Sequence, residues 1–307
     1  MASSTHFTLH ELAPGVHAAV MRPGGAAVSN AAIIDLGDRT LVVDTFQTLG
    51  AAEDLLAAAR RLTGRGAAVV VNSHWHADHT GGNQVFEDSE IIATPRTVEL
   101  VVRHATPPQD YAAELDAYVA TLRESIAAAQ DDDERSRYHE ALVTAEALVR
   151  EAPRFRLTLA SPMRDQALEF VGTERDAEVL TYGPGHTESD AFVHLPAEGI
   201  VVAGDLLWVD AHPRTQDGDP AAWAAVLDRV SALGPTVIVP GHGEVGGPQH
   251  LAGLAAYLRE VDDMVTALRA DPDTDPSERF APPEGSEGWA GLGRLWEGVR
   301  RLAAPEH

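Results

Sequence analysis

The sequence predicts a mixed α+β protein, on three observations. Its front third alternates short apolar runs with Pro/Gly and Gly-Asp punctuation; two later runs are wholly apolar and strand-length; and long stretches carry apolar residues at helical spacing. Taken in order, Phe7 to Leu9, Val16 to Met21, Ala31 to Leu36 and Thr40 to Asp44 read as strands of an antiparallel sheet. Leu49 to Leu62 reads as a helix stopped by Gly64 and Gly66, and Ala67 to Val71 as a strand buried on both faces. The polar, His-rich segment Asn72 to Asn83 then falls at the C-terminal end of that strand, where α/β architectures place chemistry.

From Thr97 to Glu151 the chain is Ala-rich, charged and helical in pattern, with breaks at Pro107-Pro108 and at the acidic run Asp131 to Glu134, which reads as a solvated turn or helix start. Strands are expected again at Arg154 to Leu159, Ala167 to Val171, Glu178 to Tyr182, Ala191 to Leu195 and Ile200 to Ala203. Pro220 to Leu233 reads as a helix capped by Asp219 with Pro at its first position, Thr236 to Val239 as a buried strand, and a long helix follows. The tail from Asp271 to His307 carries Trp289 and Trp296 and is expected to form a loop and a packed terminal helix. The expected organisation is one domain over 1–270 with a helical insertion at 97–153, forming a lid or a pocket wall, and a C-terminal extension over 271–307. No repeat of solenoid period is present.

Composition narrows the function. With 307 residues, 44% apolar and 23% charged, the chain has ordinary globular usage. Its 23 basic residues are all Arg, against 47 acidic ones, for a net charge of −24. Such a surface repels polyanions, so neither nucleic acid nor an anionic membrane is an expected partner. The expected partner is a small-molecule substrate, with a homo-oligomer left open. Without cysteine there are neither disulfides nor thiolate ligands, and any metal must be held by His, Asp or Glu. The segment Met1 to Val20 lacks a basic start followed by a long apolar run, and no later run reaches spanning length, so the expected location is cytoplasmic.

The chemistry is concentrated in Ser73-His74-Trp75-His76-Ala77-Asp78-His79-Thr80-Gly81-Gly82, where His74, His76, Asp78 and His79 place candidate ligands at four of six positions. A solvated polar loop is the plain alternative, but imidazoles and a carboxylate crowded on a tight turn are hard to stabilise without a cation among them. Three further segments place a ligand type just past a strand: Gly183-Pro184-Gly185-His186-Thr187, Ala203-Gly204-Asp205 and Pro240-Gly241-His242-Gly243. Each alone is an ordinary turn sequence. Together the candidates are five His and two Asp, enough for two metal shells sharing one carboxylate.

In the order of these motifs the sequence resembles the metallo-β-lactamase superfamily, and in particular its glyoxalase-II-like, binuclear branch, over about Leu9 to Leu258. The resemblance implies a four-layer αββα sandwich with the metal loops along one edge. It assigns His74, His76 and His186 to a first metal, Asp78, His79 and His242 to a second, and Asp205 as the bridge. It further implies two Zn²⁺ per chain, with Fe or Mn as alternatives. The chain departs from compact members in the long gap between His79 and His186, which the helical insertion fills. It also has no Lys, so recognition of a glutathione-type carboxylate falls to Arg or backbone groups.

The function so implied is hydrolysis of an ester, lactone or thioester of a small molecule by a hydroxide bridging the two ions. Asp78 is expected as ligand or as general base. His212 is a candidate oxyanion donor, weighed against an ordinary surface-loop role, and Trp75 and Trp208 are candidates for the substrate wall, weighed against simple packing. The alternative is a single Fe(II) held by His74, His186 and Asp205, as in the persulfide dioxygenase branch. A β-lactamase and a phosphodiesterase stand behind these, and a non-enzymatic, metal-stabilised binding protein last. His104 and His139 are expected on exposed helical faces.

Overall fold

The computed structural model describes residues 4–105, 108–130 and 132–304. Pro107, in the first expected break of the helical segment, and Asp131, at the head of the acidic run, lie outside the described residues. The chain forms two compact units, Met1–Met163 with Gly172–Arg175, and Arg164–Val171 with Asp176–His307.

The first unit is built on a seven-stranded sheet in simple sequential order. Strands β1 (Phe7–Ala13), β2 (Val16–Met21), β3 (Ala31–Asp35) and β4 (Thr40–Val43) run antiparallel to their neighbours. Helix α1 (Leu49–Thr63) then crosses to β5 (Val69–Val71), which lies parallel to β4. The short helix α2 (Ala77–Thr80) follows, then β6 (Glu90–Ala93), α3 (Pro95–His104), α4 (Pro108–Ala128), α5 (Asp132–Glu151) and the two-residue edge strand β7 (Ser161–Pro162). The small apolar face of α1, with Ala51, Ala52, Leu55, Ala58 and Ala59 fully buried, packs on Ile33, Val42 and Val70. Small residues let the helix approach the sheet closely, and β-branched partners fill the pleat.

Both ends of α1 are chemically closed. Thr48 accepts from Ala51 N, and Gly64, at φ 72°, ends the helix in the left-handed conformation that an L side chain avoids. From α5, the Glu151 carboxylate accepts from the amides of Leu49 at 2.7 Å and Gly50 at 2.8 Å, placing a negative charge on the helix N-terminus.

The second unit carries a five-stranded sheet in the order β12-β11-β10-β9-β8, formed by β8 (Ala167–Phe170), β9 (Ala177–Gly183), β10 (Asp190–Leu195), β11 (Ile200–Trp208) and β12 (Val237–His242). Only β11 and β12 are parallel, joined through α6 (Pro220–Ser231), whose N-terminus Asp219 caps as expected. Helices α7 (Pro248–Ala270), α8 (Pro276–Arg279) and α9 (Leu292–Ala303) complete the unit. Its core joins Trp223 and Leu227 of α6, Leu254, Tyr257, Leu258 and Val261 of α7, Leu295 and Val299 of α9, and Ile238 of β12. His250 accepts from Gly247 N at 2.9 Å, so it helps to close the start of α7. Among the described residues no helix is long and apolar enough to cross a membrane.

Two sequence expectations are corrected. Arg154 to Leu159 is not a strand: Ala152–Arg154 is a single 3₁₀ turn, and Phe155 to Ala160 is irregular. Side chains replace a sheet ladder there. Gln84 takes the carbonyl of Arg154 and accepts from Arg156 N, while Asn83 donates to the Thr158 carbonyl. The strand beginning at Ile200 does not end at Ala203 either; it runs through Gly204 and Asp205 to Trp208, with register shifts on either side of Gly204. What reads locally as a turn pair is a bulged strand interior.

Replacing Glu151 by Ala removes the carboxylate from the start of α1. We expect a loss of about 1–2 kcal/mol in unfolding free energy, read by urea titration, with the helix content of the folded protein unchanged.

Candidate metal centre

In the first unit the donors stand on the loop and short helix that follow β5. Gly81 and Gly82 make this tight fold feasible: a Cβ at Gly81 would overlap the Gln47 carbonyl, and one at Gly82 the Thr45 carbonyl. His74 and His79 are fully buried, and His76 and Asp78 partly so. The Nε2 of His74 lies 3.0 Å from Nδ1 of His76, and its own Nδ1 lies 3.0 Å from Ser73 Oγ. His79 Nδ1 lies 2.7 Å from Asp44 Oδ2, which directs its Nε2 toward Asp78 Oδ2, 3.6 Å away. A carboxylate on one ring nitrogen orients the ring and selects the tautomer whose other nitrogen carries the lone pair.

Asp44 is the functional residue that sequence reasoning missed. It is 2% exposed, sits at φ 62°, and accepts from Ser73 N and Ser73 Oγ at 2.7 Å each in addition to contacting His79. Asp tolerates this left-handed backbone better than most residues. The available signal was positional: Asp44 directly follows β4, beside the strand that launches the His-rich loop.

In the second unit, Asp205 lies between two imidazoles. Its Oδ2 is 3.2 Å from His186 Nε2 and its Oδ1 is 3.4 Å from His242 Nε2. The carboxylate is 2% exposed, and a Cβ at Gly241 would overlap its Oδ1, so glycine is what lets strand β12 close over it. The loop carrying His186 is tied by Asp190, which accepts from the amide and hydroxyl of Thr187; burial pushes the Asp190 carboxyl up to about 7 against those stabilising bonds. The His186 ring meets Trp223 edge-on, with centroids 5.1 Å apart. All these donors are nitrogen or carboxylate oxygen, a set suited to Zn²⁺ and to other borderline or hard divalent ions.

The remaining candidates fall as follows. Trp75 is half-buried and stacks on His104 at 4.2 Å, so His104, though exposed, is in contact with the His-rich loop; His139 is exposed as expected. Trp208 is buried and stacks on His242 with centroids 3.9 Å apart. His212 is not on the surface: it is 1% exposed, with Nδ1 3.0 Å from the Tyr257 hydroxyl and its ring against Trp289.

Burial, with the Arg294 guanidinium nearby, lowers the His212 pKa to about 4 from its ordinary 6.5. The unfolded chain therefore binds a proton that the folded one refuses between those values, so this contribution to stability is present above pH 6.5 and is lost as pH falls toward 4. We expect His212→Gln to lessen the acid sensitivity of unfolding by an amount on the order of 1–3 kcal/mol, read from urea midpoints at pH 7 and pH 5 with a chelator present.

Comparison with known proteins bears on both units. The sequence model of the metallo-β-lactamase superfamily matches residues 24–242. Among solved structures, a metallo-β-lactamase from Pontibacter korlensis superposes with a TM-score of 0.59 at 17% identity, over 82% of this chain and 99% of that one. Another, from Hirschia baltica, gives 0.57 at 18% identity over 83% and 98%. A linear primary-alkylsulfatase of Pseudomonas sp. (strain ATCC 19151) is 21% identical over 253 residues, 74% of this chain, which spans only 44% of that relative's length. With its two sheets and flanking helices, the chain has the metallo-β-lactamase fold and belongs to the metallo-β-lactamase superfamily.

Proposed function

We propose that the chain is a binuclear zinc hydrolase of the glyoxalase-II-like kind, cleaving an ester, lactone or thioester of a small molecule. His74, His76 and His186 with Asp205 would form one donor group, and Asp78, His79 and His242 the other, with Asp205 shared. The observation that carries this reading is the Asp205 carboxylate, whose two oxygens each face a different imidazole. That is the arrangement a bridging ligand needs. When bound, two divalent cations would supply Lewis acidity to the scissile group and an activated solvent nucleophile near neutral pH.

The chain's own residues set what surrounds that chemistry. Asp44 and Ser73 hold the rings of His79 and His74, so the donor nitrogens keep their direction without reorganising. Asp78, whose side chain is more exposed than that of His79, would be a ligand where the second site is filled and a general base toward solvent where it is empty. Trp75, braced by His104, is assigned to the substrate wall, as is the segment 97–153 that supplies His104. His212 is retained as a candidate donor to the oxyanion.

A second reading is hydrolysis of a primary alkyl sulfate, favoured by the match to an alkylsulfatase. A panel of acyl esters, lactones, thioesters and alkyl sulfates separates the two readings, and turnover confined to alkyl sulfates would overturn the acyl assignment.

Metal analysis of the purified protein is expected to give two zinc ions per chain; a single iron with oxygen uptake would overturn the hydrolase reading. Asp78→Ala and His242→Ala should each lower occupancy of the second site and cut turnover by about 10²–10⁴-fold while circular dichroism stays unchanged. Asp44→Asn, which leaves all seven donors in place, should weaken zinc binding by about 10–100-fold, measured by chelator competition.

A further inference from the structure

We propose that Arg294, on the C-terminal helix, is a positioning residue for His242, acting through Trp208. This role rests on the two-cation reading above, in which His242 is a donor. Trp208 and His242 stand opposite one another at the ends of the parallel strands β11 and β12, and their rings stack at 3.9 Å with 30° between planes. The Arg294 Cζ lies 5.3 Å from the centre of the Trp208 ring, within cation–π range.

Trp208 is 5% exposed, and its indole nitrogen is buried with no hydrogen-bond partner among the described residues. A buried tryptophan normally anchors itself by that N–H. Here the orientation of the ring rests on what packs against it: His242 and Arg294, with His186 at 6.4 Å between ring centres and the apolar core of the second unit around it.

The guanidinium is itself held in register. Arg294 Nη1 donates to the His212 carbonyl at 3.0 Å. The chain just before it is pinned to the segment after Trp208, since Ala290 N donates to the Asp210 carbonyl and His212 N to the Ala290 carbonyl, each at 2.9 Å. Gly291, at φ 80°, leaves the space the guanidinium occupies: a Cβ there would lie 2.7 Å from Arg294 Cζ. Leu295 and Val299 bury the helix against the core of the second unit and fix its rotation. The C-terminal helix thereby braces one metal donor from behind, through a single aromatic ring.

The test uses the full-length protein and zinc as the probe. Two-site zinc affinities are measured by competition with a chromophoric chelator, and the cobalt-substituted protein gives the ligand-field spectrum. For Arg294→Met the weaker of the two affinities should fall at least tenfold relative to the stronger, with a changed cobalt spectrum; Arg294→Lys should recover a large part of that loss. Two affinities that fall together, or that both stay within twofold of wild type, would overturn the role of Arg294 while leaving the two-cation reading intact. A wild-type protein that binds one ion would overturn both. If Arg294→Met fails to fold, Trp208→Ala and Trp208→Phe carry the decision: selective loss of the weaker site in the first with partial retention in the second supports the bracing role, and equal affinities in both overturn it.

Discussion

The structure depends on keeping ionisable groups buried at the ends of its strands. Asp44, His74 and His79 in the first unit, and His186 and Asp205 in the second, are nearly or fully withdrawn from water. An isolated charge so placed would cost several kcal/mol or more, and it persists only with partners that compensate it. Each carboxylate accordingly lies against an imidazole: Asp44 against His79, and Asp205 against His186 and His242. The surrounding architecture serves this arrangement. Glycines at 81, 82 and 241 let backbone come close enough to enclose the polar groups, and Ser73 and Thr187 satisfy carboxylate oxygens that would otherwise face apolar walls.

Both units solve the problem in the same way. Parallel neighbours β4 and β5 end side by side, so the residues just beyond them, Asp44 and Ser73, meet and carry the His-rich loop; parallel neighbours β11 and β12 bring Trp208 beside His242. Parallel pairing requires a helical crossover, and the crossovers α1 and α6 bury the sheet face behind the site with small residues and with Trp223. A rigid apolar layer behind and a polar rim at the strand ends are two consequences of one topology.

The carboxylates and imidazoles also explain why electrostatics here is local. A net charge of −24 disfavours further buried acid, and the buried carboxylates Asp44 and Asp205 are each set against imidazoles. Arg294 lies beside the Trp208–His242 stack and is bonded to the loop that follows it, and its charge helps to keep His212 neutral.

Sequence by itself determined the elements with strong local pattern. These are the hairpin strands of the first unit, the helices capped by Thr48 and Asp219, the helical character of the segment after Thr97, and the ligand-rich loops whose residue types admit only nitrogen and oxygen donors. Periodicity, capping and side-chain chemistry are properties of neighbours along the chain, so they can be read there. Tertiary structure alone decided that Arg154 to Leu159 forgoes a ladder for the side chains of Asn83 and Gln84, and that Gly204-Asp205 is strand interior rather than turn. It alone decided too that Asp44 orients His79 from 35 residues away, and that Arg294 lies over a ring paired with His242. Each of those outcomes is set by a partner distant in sequence, and local propensity carries no information about which distant group will arrive to satisfy a buried polar atom or to brace a ring.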